Sequence, residues 1–218
     1  MRVGILGGTG PLGRGLALRL AASGYDVVVG SRDAERAVSV VADVATAWPG
    51  RGLAIAGAGN EEAAAAETVV LATPWDAAVP TARALAGALD GKVVVSVANA
   101  LVRQGREMQA LVLPRGSVAA GVQAVLPGSA VAAAGHHLPA ARLADLDDDL
   151  RADVLVCADD DGALEATVGL FGAVPGLRPL RAGSLASASA VEAFTAVLIT
   201  MNMRYKAHST LHIAGIDG

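Results

Sequence analysis

The chain has 218 residues, of which 53% are hydrophobic and only 3% aromatic, and its formal net charge is −4. The few basic residues are scattered, which excludes a nucleic-acid footprint, and a single cysteine, Cys157, excludes an intrachain disulfide. With aromatics scarce, alanine, valine and leucine must fill the core, which favours helices packed closely on a parallel sheet over a β-sandwich.

Arg2-Val3-Gly4-Ile5-Leu6 reads as a short buried strand, and Gly8-Thr9-Gly10-Pro11-Leu12-Gly13 after it fits G-x-G-x-x-G. In that pattern one glycine permits the tight turn, one lets the backbone approach a pyrophosphate, and one lets the helix pack against the strand. Leu12, Leu16 and Leu20 form a helical stripe, Ser23-Gly24 stops the helix, and Asp26-Val27-Val28-Val29-Gly30 reads as a second strand. The helix presents its free N–H groups and positive dipole end to phosphate. An NAD site carries Asp or Glu at the end of the second strand to bond the ribose hydroxyls. This chain has Ser31 and Arg32, with Arg36 one helical turn on. Guanidinium pairs with a 2′-phosphate that an acid would repel, so the spacing selects NADP over NAD.

Further along, strand and helix patterns alternate. Residues 33–47 read as a helix and 53–55 as a short strand. Asn60 is a candidate N-cap, and Thr68 to Ala72 form a strand followed by Thr73-Pro74-Trp75. Residues 77–89 read as one helix, 92–97 as a buried strand ending at Ala98-Asn99, and 101–116 as an irregular loop over the site. A helix over 117–125 precedes a strand over 130–134, which ends at Gly135-His136-His137-Leu138. The strand over 153–158 makes Cys157 a buried structural residue. Asp159 to Asp161 read as a helix cap or surface turn, a short strand lies near 177–181, and 186–206 is a long apolar helix.

The fold class is therefore α/β: a Rossmann-type, doubly wound, mainly parallel sheet with a smaller C-terminal helical part, divided into residues 1–150 and 151–218. Parallel sheets bind ligands at the carboxyl ends of their strands. That rule gathers the glycine loop, Ser31-Arg32, Thr73-Pro74-Trp75, Ala98-Asn99 and His136-His137-Leu138 as the candidate site. No apolar run is long and uninterrupted enough for a membrane span, and no signal peptide precedes the strand at Arg2, so a cytoplasmic protein without a membrane partner is expected. The apolar C-terminal helix suggests a homodimer interface.

The residues that are missing narrow the chemistry. Neither Tyr25 nor Tyr205 has a lysine four residues later, so the Tyr-x-x-x-Lys carbonyl acid is absent. Lys92 starts a strand at the end away from the site. His208 and His212 have no added cysteine or acidic ligands, and no metal site is expected. A nicotinamide site without a carbonyl acid suits hydride transfer to a second redox cofactor, where the protein mainly holds two rings together. The alternatives are an NADP-dependent reductase of a small imine or carbonyl compound and a non-catalytic NADPH sensor.

Gly7-Gly8-Thr9-Gly10-Pro11-Leu12-Gly13-Arg14-Gly15, Val29-Gly30-Ser31-Arg32, Pro74-Trp75, His136 with Pro139, Asp159-Asp160-Asp161, Val191-Glu192-Ala193-Phe194-Thr195 and Arg204-Tyr205-Lys206-Ala207-His208 run nearly the length of the chain. Together they resemble the NADPH-dependent reductases of coenzyme F420, an 8-hydroxy-5-deazaflavin. The resemblance implies reversible hydride transfer between NADP(H) and F420. It places Thr9 to Leu12 against the pyrophosphate and nicotinamide side, with Ser31, Arg32 and Arg36 on the 2′-phosphate. Pro74, Trp75 and Ala98 line the NADP path, and His136 to Leu138 border the stacked rings, with His136 a candidate proton carrier. Residues 151–218 would complete the deazaflavin cleft. The chain departs from the family pattern at Ala98-Asn99-Ala100-Leu101, where Asn-Pro-Leu is common, and at Met203, where many members show arginine.

Overall fold

The computed structural model describes residues 1–216. The chain order is β1 (Arg2–Leu6), α1 (Pro11–Ala22), β2 (Asp26–Ser31), α2 (Ala34–Ala47), β3 (Ile55–Gly59), α3 (Asn60–Ala64), β4 (Thr68–Leu71), α4 (Trp75–Ala84), α5 (Ala86–Leu89) and β5 (Val93–Ser96). There follow β6 (Leu101–Gln104), β7 (Glu107–Ala110), α6 (Val118–Gln123), β8 (Ala130–Ala133), α7 (Ala140–Leu143), β9 (Ala152–Ala158), α8 (Asp161–Gly172), β10 (Leu177–Gly183) and α9 (Leu185–Tyr205).

Eight strands form one sheet in the order β10-β9-β8-β5-β4-β1-β2-β3. The strands β1, β2, β3, β4, β5 and β8 are parallel, whereas β9 pairs antiparallel to β8 and β10 runs parallel to β9. The chain winds from β1 outward through β2 to β3, then returns to β4 on the other side of β1. That reversal opens a crevice at the carboxyl ends, where open α/β sheets take their ligands.

The sheet is buried on both faces because successive strand residues point opposite ways. Val3, Ile5, Val27 and Val29 join one core with Leu16 and Leu20 of α1, Leu143 of α7 and Phe171 of α8. Leu6, Val28, Leu71 and Val94 join the other with Ala78 of α4, Val118 of α6 and Val191 of α9. Buried Arg19 fastens α1 to the chain beyond α7: its guanidinium donates to the carbonyls of Arg142, Leu143, Asp145 and Asp148.

Local chemistry accounts for several boundaries. Asp33 caps α2 by accepting from Arg36 N at 3.1 Å, and Asp160 caps α8 by accepting from Ala163 N at 2.7 Å, as expected of this acidic run. Cys157 lies buried in β9.

Other expectations need correction. The third strand is residues 55–59, beyond the 53–55 expected. Asn60 is not the cap of α3: Gly59 holds that position, and Asn60 is the first helical residue. The helix expected over 77–89 is two helices, α4 and α5, broken at Leu85. Residues 101–110, expected as irregular loop, form an antiparallel hairpin. Its two-residue turn places Gly105 at φ 62°, a conformation that favours glycine at that first position. By length and a mean hydropathy of 1.3, α9 could cross a membrane, contrary to the expectation of no such run. In this fold its Leu185, Ala188 and Val191 are packed into the core. Residues 151–216 add two strands to the same sheet as well as α8 and α9; residues 217 and 218 lie outside the described residues.

Candidate functional site

A cleft of about 560 Å³ opens at the carboxyl ends of β1, β2, β4 and β5. It brings together most of the residues singled out in the sequence: Thr9, Gly10, Pro11, Leu12, Ser31, Arg32, Arg36, Thr73, Pro74, Trp75 and Ala98. The neighbouring hollow, about 490 Å³, shares Ser31 and Arg32 and is walled by Pro80 and Thr81 of α4. The two share Ser31, Arg32, Asn60, Ala77 and Thr81 and so form one trough.

The glycine loop divides its tasks between fold and ligand. Gly7 takes φ 69° and starts the turn. A Cβ on Gly8 would come within 2.8 Å of Ile5 O, and one on Gly13 within 2.6 Å of Gly8 Cα, so both glycines are required by the packing of loop and helix. Gly10 differs. The nearest protein atom to a Cβ there is Gly7 O at 3.8 Å, and Gly10 lines the cleft. Its bare face therefore borders ligand space. Gly10 also caps α1, with Pro11 inside the first turn and no acidic side chain there. The positive end of the helix thus meets the cleft without a competing carboxylate. Arg14 Nε donates to Thr9 O at 2.8 Å and fixes the loop from behind.

At the end of β2, Ser31 Oγ accepts from Asp33 N at 3.2 Å. With Asp33 engaged as the cap of α2, Arg32 and Arg36 line the cleft as exposed cations, and neither forms an ion pair among the described residues.

His136, His137 and Leu138 are placed differently. All three are buried, and none lines the cleft. Gly135 at φ 71° turns the chain after β8, His137 Nε2 bonds Asp153 O at 2.7 Å, and Leu138 joins the core. His136 connects to the cleft through its backbone: Asn99 Nδ2 donates to His136 O at 2.9 Å, and Asn99 lines the cleft.

The sequence pattern of the family described as "NADP oxidoreductase coenzyme F420-dependent" matches residues 2–100. An F420-dependent NADP reductase from Methanocaldococcus jannaschii is 36% identical over 215 residues, covering 96% of this chain and 96% of that protein. This chain belongs to the F420-dependent NADP reductase family. A second member, from Methanothermobacter marburgensis, is 35% identical over 209 residues, 94% of this chain and 93% of the relative. The fold also matches a crystal structure from Arthrobacter sp. FB24, with a TM-score of 0.77 at 24% identity and coverage of 98% and 99% of the two chains.

In this member of the F420-dependent NADP reductase family, a buried polar cluster lies beneath the cleft. Glu192 of α9 accepts from Val118 N at 2.9 Å and Ala119 N at 3.2 Å, tying α9 to the start of α6. Its carboxylate lies 4.0 Å from His136 Nε2. Burial pushes Glu192 up to about 7 against the opposing effect of those two N–H bonds, and burial pushes His136 down to about 3. Burial therefore favours the neutral imidazole, with one ring nitrogen a donor and the other an acceptor.

Sequence reasoning missed Asn60 and Thr81 among the residues that line the trough. Asn60 Oδ1 accepts from Gly7 N at 3.4 Å and lines the cleft beside the glycine loop. Thr81 also lines it, as does Asn99, which the strand-end rule gathers with Ala98. Asn60 read as an ordinary cap, and Thr81 lay inside a helix with no feature to single it out.

Proposed function

We propose that this chain binds NADP(H) in the cleft and transfers a hydride reversibly between NADP(H) and coenzyme F420. The observation that carries the reading is the open face of Gly10, aligned along one trough with the two unpaired arginines at the end of β2, in a member of this family. The two rings supply the redox chemistry themselves, as the hydride moves between nicotinamide C4 and deazaflavin C5. The protein binds and orients. Gly8 to Gly13, with the start of α1, cradle the pyrophosphate. Ser31, Arg32 and Arg36 hold the 2′-phosphate, and Thr73, Pro74, Trp75 and Ala98 wall the path to the nicotinamide. His136, His137 and Leu138 act from below, with the His136 carbonyl setting the position of the Asn99 side chain at the cleft. In this reading residues 1–150 bind the nucleotide and residues 151–218 complete the deazaflavin side.

Mixing the purified protein with NADPH and oxidised F420 is expected to bleach the nicotinamide and deazaflavin bands together and at equal molar rates, as one NADPH is oxidised for each F420 reduced. No change in the deazaflavin band over a range of pH would overturn the assignment.

The proposed assembly is a homodimer in the cytoplasm, where both coenzymes are freely water-soluble. Phe194, Val197, Met201 and Tyr205 are exposed at helical spacing along α9, and that stripe contains no charge to specify a different partner. A self-complementary apolar stripe suits a two-fold contact. Val197→Asp is expected to convert a dimer to monomer in sedimentation equilibrium; a wild type that is monomeric at tens of micromolar would refute the contact.

A further inference from the structure

The β6–β7 hairpin and the last turns of α9 enclose another hollow, about 530 Å³, lined by Arg103, Arg106, Glu107, Thr200, Met203 and Arg204. Three guanidiniums share it with one carboxylate, in a protein of net charge −4. Among the described residues none of the three forms an ion pair, although Arg2, Arg51, Arg142, Arg151, Arg178 and Arg181 all do. Arg103 spends only its Nε, on Gly105 O at 3.2 Å, so most of its five donors remain unused. Like charges gathered without partners repel one another, and an anion placed among them relieves that repulsion.

The hollow is braced. Met108 N donates to Thr200 Oγ1 at 2.9 Å, which ties β7 to α9. One strand, β6, contributes to both this hollow and the cofactor cleft. Leu101, the first residue of β6, lines the cleft beside Ala98 and Asn99, and Arg103 stands two residues along the same strand, about 7 Å away in an extended chain. The strand β6 therefore runs from the Ala98–Asn99 part of the cleft to the cationic hollow.

We infer that this hollow receives the anionic side chain of the deazaflavin substrate, the phosphodiester and carboxylates that F420 carries beyond its ring. The inference rests on the function proposed above and names the part of the substrate that Arg103, Arg106 and Arg204 recognise. Arginine suits the task because its planar fork pairs bidentately with phosphate and carboxylate alike.

The test compares three acceptors with wild type and the variant Arg103→Gln/Arg106→Gln/Arg204→Gln: full F420, the ring with only a 5′-phosphate, and the ring with neither. The three side chains are exposed, so the fold is retained; circular dichroism checks this. The KM for F420 is expected to rise about tenfold in the variant, and more at low salt, while KM for NADPH and for the tail-less ring stays unchanged. A rise for the 5′-phosphate ring assigns the phosphate to the hollow; a rise for full F420 alone assigns the carboxylates. An unchanged KM for full F420, or equal losses for F420 and the tail-less ring, overturns the inference. Fluorescence titration of F420 makes the same comparison without turnover, so a wild type that binds F420 but does not reduce it refutes the proposed reaction and leaves the hollow to be judged on binding.

Discussion

Arg32→Asp is expected to weaken NADPH binding ten- to a hundredfold while changing NADH binding little. Arg32 lines the cleft at the end of β2 without an ion pair, and Asp33 beside it is committed to capping α2. Losing one charge-assisted contact to a 2′-phosphate costs roughly 1.5–3 kcal/mol, and an introduced carboxylate adds repulsion. NADH lacks that phosphate and offers a ribose diol to which the new carboxylate can bond. The measurement is the dissociation constant of each nucleotide by titration. Equal losses for both would show that Arg32 does not read the 2′-phosphate.

The second large effect concerns pH. Glu192 is raised from 4.5 to about 7 in the folded protein, chiefly by burial. Between those values the native state holds a proton that the unfolded chain has released. Its stabilising contribution is therefore complete below about 4.5 and is lost as pH rises through about 7. The difference corresponds to roughly 3 kcal/mol. His136 has the opposite sign: lowered to about 3 by burial, it favours the native state above its ordinary value of 6.5, and that contribution falls away in acid. The neighbours facing this pair are His137, the Cys157 thiol, and the N–H groups of Val118 and Ala119. Glu192→Gln retains an acceptor for α6 and cannot ionise. The stability of the variant minus that of wild type, from urea unfolding, is expected to grow by roughly 3 kcal/mol between pH 4.5 and 8. A difference that stays constant across that range would mean that Glu192 titrates normally.

The strand–loop–helix–strand opening was legible because its signals agree: buried valines, a glycine pattern, a leucine stripe and a helix stop. Elsewhere the packing overruled local pattern. β3 was underestimated because Gly57 and Gly59 are poor strand formers. A Cβ at Gly57 would fall 2.4 Å from Ala37, so α2 sits where a side chain would be. The β6–β7 hairpin was hidden because Arg103, Gln104, Glu107 and Gln109 erase the apolar alternation by which a strand is recognised, and the two short strands stand apart from the main sheet. The strand end at His136 was located correctly, yet periodicity does not say where a side chain points once a residue such as Gly135 turns the chain. The capping preference of asparagine likewise concealed that Asn60 reaches back to Gly7.

Gly10 and Gly13 lie three residues apart in one motif, yet they answer to different pressures. Crowding at Gly13 comes from the protein itself, whereas the space beside Gly10 is left open by the protein. With the pyrophosphate proposed against Gly10, a side chain at 13 is purged because the chain misfolds, in any cell and on any diet. A side chain at 10 leaves a sound fold that has lost its nucleotide, and selection notices only where that nucleotide is used. A lineage that abandoned the reaction would therefore shed the glycine at 10 first, and the surviving glycine at 13 would mark a scaffold kept for some other purpose.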